Sequence, residues 1–429
     1  MKRTMLVAAV ALAATGAQAV AAPESEELIK AVNACYESFN SQSYDDAFKN
    51  CERAASVYRD PQASNLMGAM YENGWGTQQD YAKAADNYKA AASADLADAN
   101  NNLANLYLEG KGVRADEQDA HFYFEKAARL GNTDANLALG MMAANPKSDY
   151  YAPDQAAKYF KASADAGNSL AQTKLGVLMM KGGEVNDAIP YLQKASEQGN
   201  AEAMEIMADI HMKGEVVRKD PQAAFELYRK AADLGRPQSS LNAARMFRDG
   251  VGTGINYVEA LNYFEKAAKD KIQDAMIEGG MMYLNGQGTD PNVLKGMELI
   301  QRAAAMGNVK ALTLLGDLYT NGKHVPISAE KAFAYYYSGA KLGDPQCQTQ
   351  AGGMLLSGAG THKDPVEGVD WLKKAANKDY VPALMKLGEV YYTDNYGYKD
   401  HETSKSYFRR AAELGSEEAQ EIMVQRDFE

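Results

Sequence analysis

Residues Ala99–Asp134 read ANNNLANLYLEGKGVRADEQDAHFYFEKAARLGNTD. Apolar side chains fall at helical spacing on both sides of Gly110–Val113, and Gly131 closes the stretch. The same arrangement returns at Ala135, Ala171, Ala203, Ser239, Ala275, Ala311, Cys347 and Ala383, and once earlier at Ala63. Neighbouring starts lie 36 residues apart, except the step from Ala171 to Ala203, which is 32. A period of this size marks a repeat array, in which each helix pair buries its apolar side by stacking on the next. The 429-residue chain therefore need not be divided into separate cores. The expected fold is all-α, a right-handed α-solenoid of stacked antiparallel helix pairs.

Each column of the repeat has a physical reason. Five residues after the start stand only small residues, among them Gly68, Ala104, Gly140, Gly176, Gly316 and Gly388. Glycine inside a helix costs about 1 kcal/mol against alanine, so the close approach of a neighbouring helix must offset it. Three residues on, Tyr71, Tyr107, Tyr283, Tyr319 and Tyr391 supply a large apolar anchor. Gly74, Gly110, Gly182, Gly214, Gly250, Gly286, Gly322 and Gly358 follow, where a left-handed helix end suits glycine. Asp80, Asp116, Asp220, Asn256, Asn292, Ser328, Asp364 and Asp400 then share a column of helix-starting side chains. The second helix carries alanines and pairs such as Tyr123-Phe124 and Tyr263-Phe264, and a glycine ends the unit. Large residues set against small ones let successive layers interdigitate.

Leu315-Gly316-Asp317-Leu318-Tyr319, Gly110-Lys111-Gly112-Val113 and Tyr123–Gly131 resemble the Sel-one-like repeat, a relative of the tetratricopeptide repeat. The resemblance runs from about Gln62 to Glu418. It implies a tetratricopeptide-like superhelix and adaptor or scaffold roles rather than any one reaction, here in an exported bacterial member. The expected organisation is a signal peptide over 1–22, a capping helix pair over 23–60, ten repeats over 61–418 and a polar capping helix over 419–429. Three repeats depart from the pattern. The third has Asn145-Pro146-Lys147 in its loop, the fourth is four residues short, and the tenth carries Tyr396 and Tyr398 between Thr393 and Lys399.

Lys2 and Arg3 precede the apolar run Met5–Thr15, and Ala19–Ala22 offers small residues for cleavage. The run is too short to cross a bilayer. The expected location is periplasmic or secreted. An oxidising compartment changes how cysteines are read. Cys35 and Cys51 lie at comparable heights on two helices joined near Asn40–Ser43, and a disulfide is expected there. Its loop entropy would contribute about 3 kcal/mol. Cys347 falls in the repeat-start column and reads as a small buried thiol.

A net charge of −12 disfavours nucleic acid, which requires clustered Lys and Arg. No cofactor and no metal are expected: His121, His211, His324, His362 and His401 lie in separate repeats without metal-ligand spacing. Ser328-Ala329-Glu330-Lys331 matches the S-x-x-K of penicillin-recognising serine enzymes, and some secreted relatives of the family have been linked to penicillin binding. Ser328, however, falls in the helix-start column, and neither S-D-N nor K-T-G follows. The leading expectation is a non-enzymatic scaffold that takes a protein or peptide in a concave groove lined by the first helices. The polar positions expected to face that groove are Asn65, Asn101, Asn105, Asp209, Arg245, Asp317 and Glu389. The alternatives are a structural part of an envelope polysaccharide or secretion assembly, and a penicillin-binding or β-lactam-hydrolysing protein.

Overall fold

Helix starts are fixed by side chains at the second helix of every regular repeat and at the first helix of several. In the computed structural model, which describes residues 23–426, the second helices begin behind the expected column from Asp80 to Asp400. In each, the capping oxygen accepts a backbone N–H two or three residues on. The first helices use a second cap three residues before the repeat start, as at Asn132, Asn168, Asn200, Asn308 and Asp344. The proposed leader over 1–22 lies outside the described residues.

The chain divides into two compact units, meeting in sequence at Gln198 and Gly199. The first holds α1 (Pro23–Asn40) and α2 (Tyr44–Ser56), then α3 (Pro61–Asn73), α4 (Tyr81–Ser93), α5 (Ala97–Glu109) and α6 (Glu117–Arg129). It ends with α7 (Thr133–Ala144), α8 (Pro153–Asp165), α9 (Ser169–Lys181) and α10 (Val185–Glu197). The second holds α11 (Ala201–Lys213), α12 (Pro221–Asp233), α13 (Pro237–Asp249), α14 (Tyr257–Lys269), α15 (Gln273–Asn285) and α16 (Val293–Ala305). It continues through α17 (Val309–Asn321), α18 (Ala329–Lys341), α19 (Pro345–Ser357), α20 (Pro365–Ala376), α21 (Val381–Tyr392), α22 (His401–Glu413) and α23 (Glu417–Gln425). No strand occurs among the described residues. Within each unit every helix packs on the one before and the one after, so the architecture is the expected α-solenoid of helix pairs.

The small column explains the core. A Cβ added to Gly68, Gly140, Gly316 or Gly388 would stand 2.4 to 2.6 Å from ring atoms of Tyr88, Phe160, Tyr336 or Phe408. Each ring, carried by the second helix, lies against the bare backbone of the first and is buried. Burying an aromatic side chain returns roughly 1.5–3 kcal/mol, more than the glycine costs. The first pair makes the same contact covalently. Cys35 and Cys51 form a disulfide with their Cα atoms 4.5 Å apart, and Cys51 stands as far from its helix start as Tyr88 does from its own.

The departures have local causes. Gly182 was expected to be the left-handed helix end, but its φ is −78° and Gly183, at φ +86°, makes the reversal. Four missing residues leave no loop there, so α9 runs straight into a tight turn. In the third repeat α7 ends at Asn145 in extended backbone. The loop is then tied down by Ser148 Oγ and Asp149 N–H, both donating to Glu117, and by Tyr150 stacking on His121 at 3.8 Å. In the tenth, Tyr398 meets Tyr391 edge-on and Lys363 lies over Tyr396. The last helix starts at Glu417 rather than after Ala419, because Ser416 caps it. Buried Ala419 takes the repeat-start position, so α23 corresponds to a first helix.

Candidate binding face

First helices of neighbouring repeats lie side by side and exchange side-chain contacts. Between α3 and α5, Asn102 Nδ2 donates to Asn65 Oδ1 at 3.2 Å. Between α13 and α15, Arg245 Nε donates to Glu278 at 2.9 Å, and its Nη2 reaches Asp274 at 3.4 Å. Arg248 donates to the same Glu278 at 2.7 Å. Hydrogen bonding to Glu278 holds the Arg245 guanidinium above its ordinary pKa.

Six of the seven expected groove residues are at least partly accessible on the first helices of their own unit. Asp209 is exposed, and Asn101, Asn105, Arg245, Asp317 and Glu389 are half-buried. Two of the carboxylates are held from beneath. Tyr228 of α12 donates to Asp209, and Tyr336 of α18 donates to Asp317 at 2.6 Å. Burial and these hydrogen bonds raise both phenol pKa values, so each hydroxyl stays protonated and donating. Glu389 accepts from Arg426 at 2.7 Å. Asn105 Nδ2 donates to the backbone carbonyl of Asn101 at 2.8 Å.

Asn65 is a correction. It is only 5% exposed, and its side chain is occupied at the seam with Asn102. In several repeats the position two residues after the start turns towards the neighbouring layer, while Asn101 keeps part of its surface exposed. Thr173 and Thr349 are buried there too, their hydroxyls donating to carbonyls one turn back. Glu205, in the same column, accepts from Arg236 at 2.7 Å and from Ser239 at 2.5 Å. Burial pushes its pKa up, but these hydrogen bonds outweigh that and hold it below the usual value.

The missed residues lie three positions after the start: Glu278 and Lys386. They share the helix stripe with the chosen column, one turn earlier, so the 3.6-residue period held the signal.

The other candidate chemistry is engaged in structure. Ser328 Oγ accepts the Lys331 N–H at 3.3 Å and donates to Glu330, while Lys331 Nζ lies over the Tyr319 ring. Cys347 is buried against Thr313 at 3.1 Å, and burial raises its thiol pKa to about 12. His211 is half-buried in the tyrosine column. A separate cleft of about 440 Å³ opens between α8 and α10, lined in part by Asp165, Tyr191, Lys194 and Gln198. No helix among the described residues is long and apolar enough to cross a membrane.

The Sel1 repeat model matches ten consecutive stretches: 61–96, 97–132, 134–168, 169–200, 201–235, 237–271, 273–308, 309–344, 345–380 and 381–416. The chain belongs to the Sel1 repeat family. It is similar to the crystal structure of c5321, a protective antigen of uropathogenic Escherichia coli with an SLR fold, at 25% identity and a TM-score of 0.78. That match covers 94% of this chain and 89% of the other. A Sel1 repeat protein from Oxalobacter formigenes is 28% identical over 56% of this chain and 99% of its own, with a TM-score of 0.47. No protein of curated function matches the sequence. The Sel1 repeat fold is that of a scaffold for protein–protein contact.

Proposed function

We propose that this Sel1 repeat chain is an exported, non-enzymatic scaffold that holds a protein or peptide segment along the face of its first helices. The observation that carries the reading is the variable column on that face. Asn105, Asp209, Arg245, Asp317 and Glu389, each six residues after its repeat start, differ from repeat to repeat, while the columns beneath them stay small or aromatic, and Asn101 lies one turn before Asn105. Tyrosine hydroxyls fix two of these carboxylates in place before any partner arrives. Side chains already ordered lower the entropic cost of docking. The pair at 23–60 and α23 act as caps on the array.

Export rests on the leader-like start, the Cys35–Cys51 bond and the likeness to a protective antigen, and points to the periplasm or the exterior. The test is affinity capture from the protein's own cell envelope, comparing the natural chain with Asp209→Ala/Asp317→Ala. Loss of a specific envelope protein in the variant is expected. Equal recovery by both would remove this face from the function. Covalent labelling of the natural chain by a fluorescent penicillin, lost in Ser328→Ala, would overturn the non-enzymatic reading.

A further inference from the structure

The seam between two first helices brings a residue six positions after one repeat start next to a residue three positions after the following start. Between α13 and α15 these are Arg245 and Glu278, a complete ion pair. Between α19 and α21 they are Gly353 and Lys386. A Cβ on Gly353 would stand 2.7 Å from Lys386 Nζ, and the next nearest atoms are carbons of the same lysine at 3.8 and 3.9 Å. The adjacent Gly352 is different. Its Cβ would meet the Gly368 carbonyl at 2.8 Å and Leu372 at 3.0 Å, so helix packing requires it. Gly353 meets only the lysine. Its missing side chain leaves a notch in the face, with an ammonium set into it.

That ammonium lies against the neighbouring helix without an ion pair among the described residues. Lys386 is an exposed residue whose Nζ lies at Gly353 of α19, and α19 and α21 touch directly. Desolvation lowers its pKa, and no carboxylate among the described residues pulls it back. Asp317 on the same face is committed to Tyr336, and Glu389, on α21 itself, to Arg426. A partly desolvated cation is stabilised by an opposite charge. The α13–α15 seam has both halves of such a pair and the α19–α21 seam has one.

We propose that the notch formed by Gly353 and Lys386 receives a carboxylate of the bound peptide, from an acidic side chain or a free C-terminus. This rests on the first-helix face being the binding face.

The test uses the whole chain carrying ¹³Cε-lysine, with the Lys386 resonance assigned by its loss in Lys386→Met. Three probes are titrated: acetyl-Ala-Glu-Ala-amide, acetyl-Ala-Leu-Ala with a free C-terminus, and acetyl-Ala-Leu-Ala-amide. The Lys386 signal should move with one or both carboxylate peptides and stay still with the neutral amide; which of the two moves it names the source. Gly353→Glu supplies a carboxylate within the chain, as Glu278 does for Arg245, and should weaken the response about tenfold or more with the helical content unchanged. A Lys386 signal indifferent to both carboxylates, or one that moves equally with the amide, would overturn the proposal. The envelope capture separates the two readings. A partner lost from Asp209→Ala/Asp317→Ala but retained undiminished by Lys386→Met keeps the face and removes the notch. A partner retained by both removes the face as well.

Discussion

The hairpin α1–α2 and the hairpin α17–α18 are closed at the same point by opposite means. In the first, Cys35 and Cys51 bring the two backbones together through a covalent bond. In the second, Gly316 removes a side chain so that the Tyr336 ring can lie on the helix, and the phenol goes on to grip Asp317. The closure that depends on packing serves where helices press from both sides, because α17 and α18 also touch α16 and α19. The cross-link serves a pair whose contacts run chiefly to α3. A repeat array therefore has one geometric requirement at this point, and more than one chemistry satisfies it.

Breaking the bond should have the largest effect. Cys35→Ser/Cys51→Ser should cost about 3 kcal/mol, the loop-entropy value for a closed loop of this size. Because contacts in an array are between neighbours, the loss should stay local. Hydrogen exchange should accelerate in α1 and α2 and leave α17 and α18 unchanged; uniform acceleration would deny that the first pair is an independent element. Gly316→Ala comes next. Its Cβ would stand 2.4 Å from Tyr336 Cε1, and such overpacking costs about 1–3 kcal/mol. Chemical denaturation of Gly316→Ala against Gly316→Ala/Tyr336→Leu reads the cause, since the smaller partner should recover part of the loss.

A third kind of closure joins layers rather than the helices of a hairpin. Glu205 accepts from Arg236 and Ser239 of the next repeat, and its folded pKa is depressed. The unfolded chain then binds the extra proton more readily. The contribution is fully present above the unfolded carboxylate pKa and is lost as pH falls through the folded value. Glu205→Gln should lower the melting temperature at pH 7, with a loss of about 1 kcal/mol, and the gap to the natural chain should narrow towards pH 3. A gap independent of pH would mean that shape, not charge, joins these layers.

The period of 36 made most of this fold legible, because each column repeats its physical task. The caps, the small column and the cysteine pair could all be read from residue type and spacing. What failed was direction within a helix. Asn65 and Asn101 occupy the same column and are the same residue, yet one is buried against Asn102 and the other is half-buried. A polar side chain at the seam can be satisfied by a neighbour, and sequence alone does not say which neighbour reaches it. Gly182 failed for a related reason: a glycine permits a left-handed turn but does not require one, and Gly183 took that role. On the candidate face, Lys386 became visible only when the repeat before it was found to leave its ammonium without a carboxylate.

The smallest expected effect tests whether the columns themselves have been read correctly. Asp116 Oδ1 accepts the Asp119 N–H at 3.0 Å, and Asn256 does the same for Glu259 at 3.1 Å. If the column acts through this hydrogen bond, Asp116→Asn should leave stability within a few tenths of a kcal/mol, and Asp116→Ala should cost about 1 kcal/mol. If it acts through negative charge at the start of α6, the asparagine should lose nearly as much as the alanine, and salt should erase the difference. Urea denaturation of the three proteins at two salt concentrations decides between them. The array already favours the hydrogen bond, since Asn292 and Ser328 cap their helices without a charge.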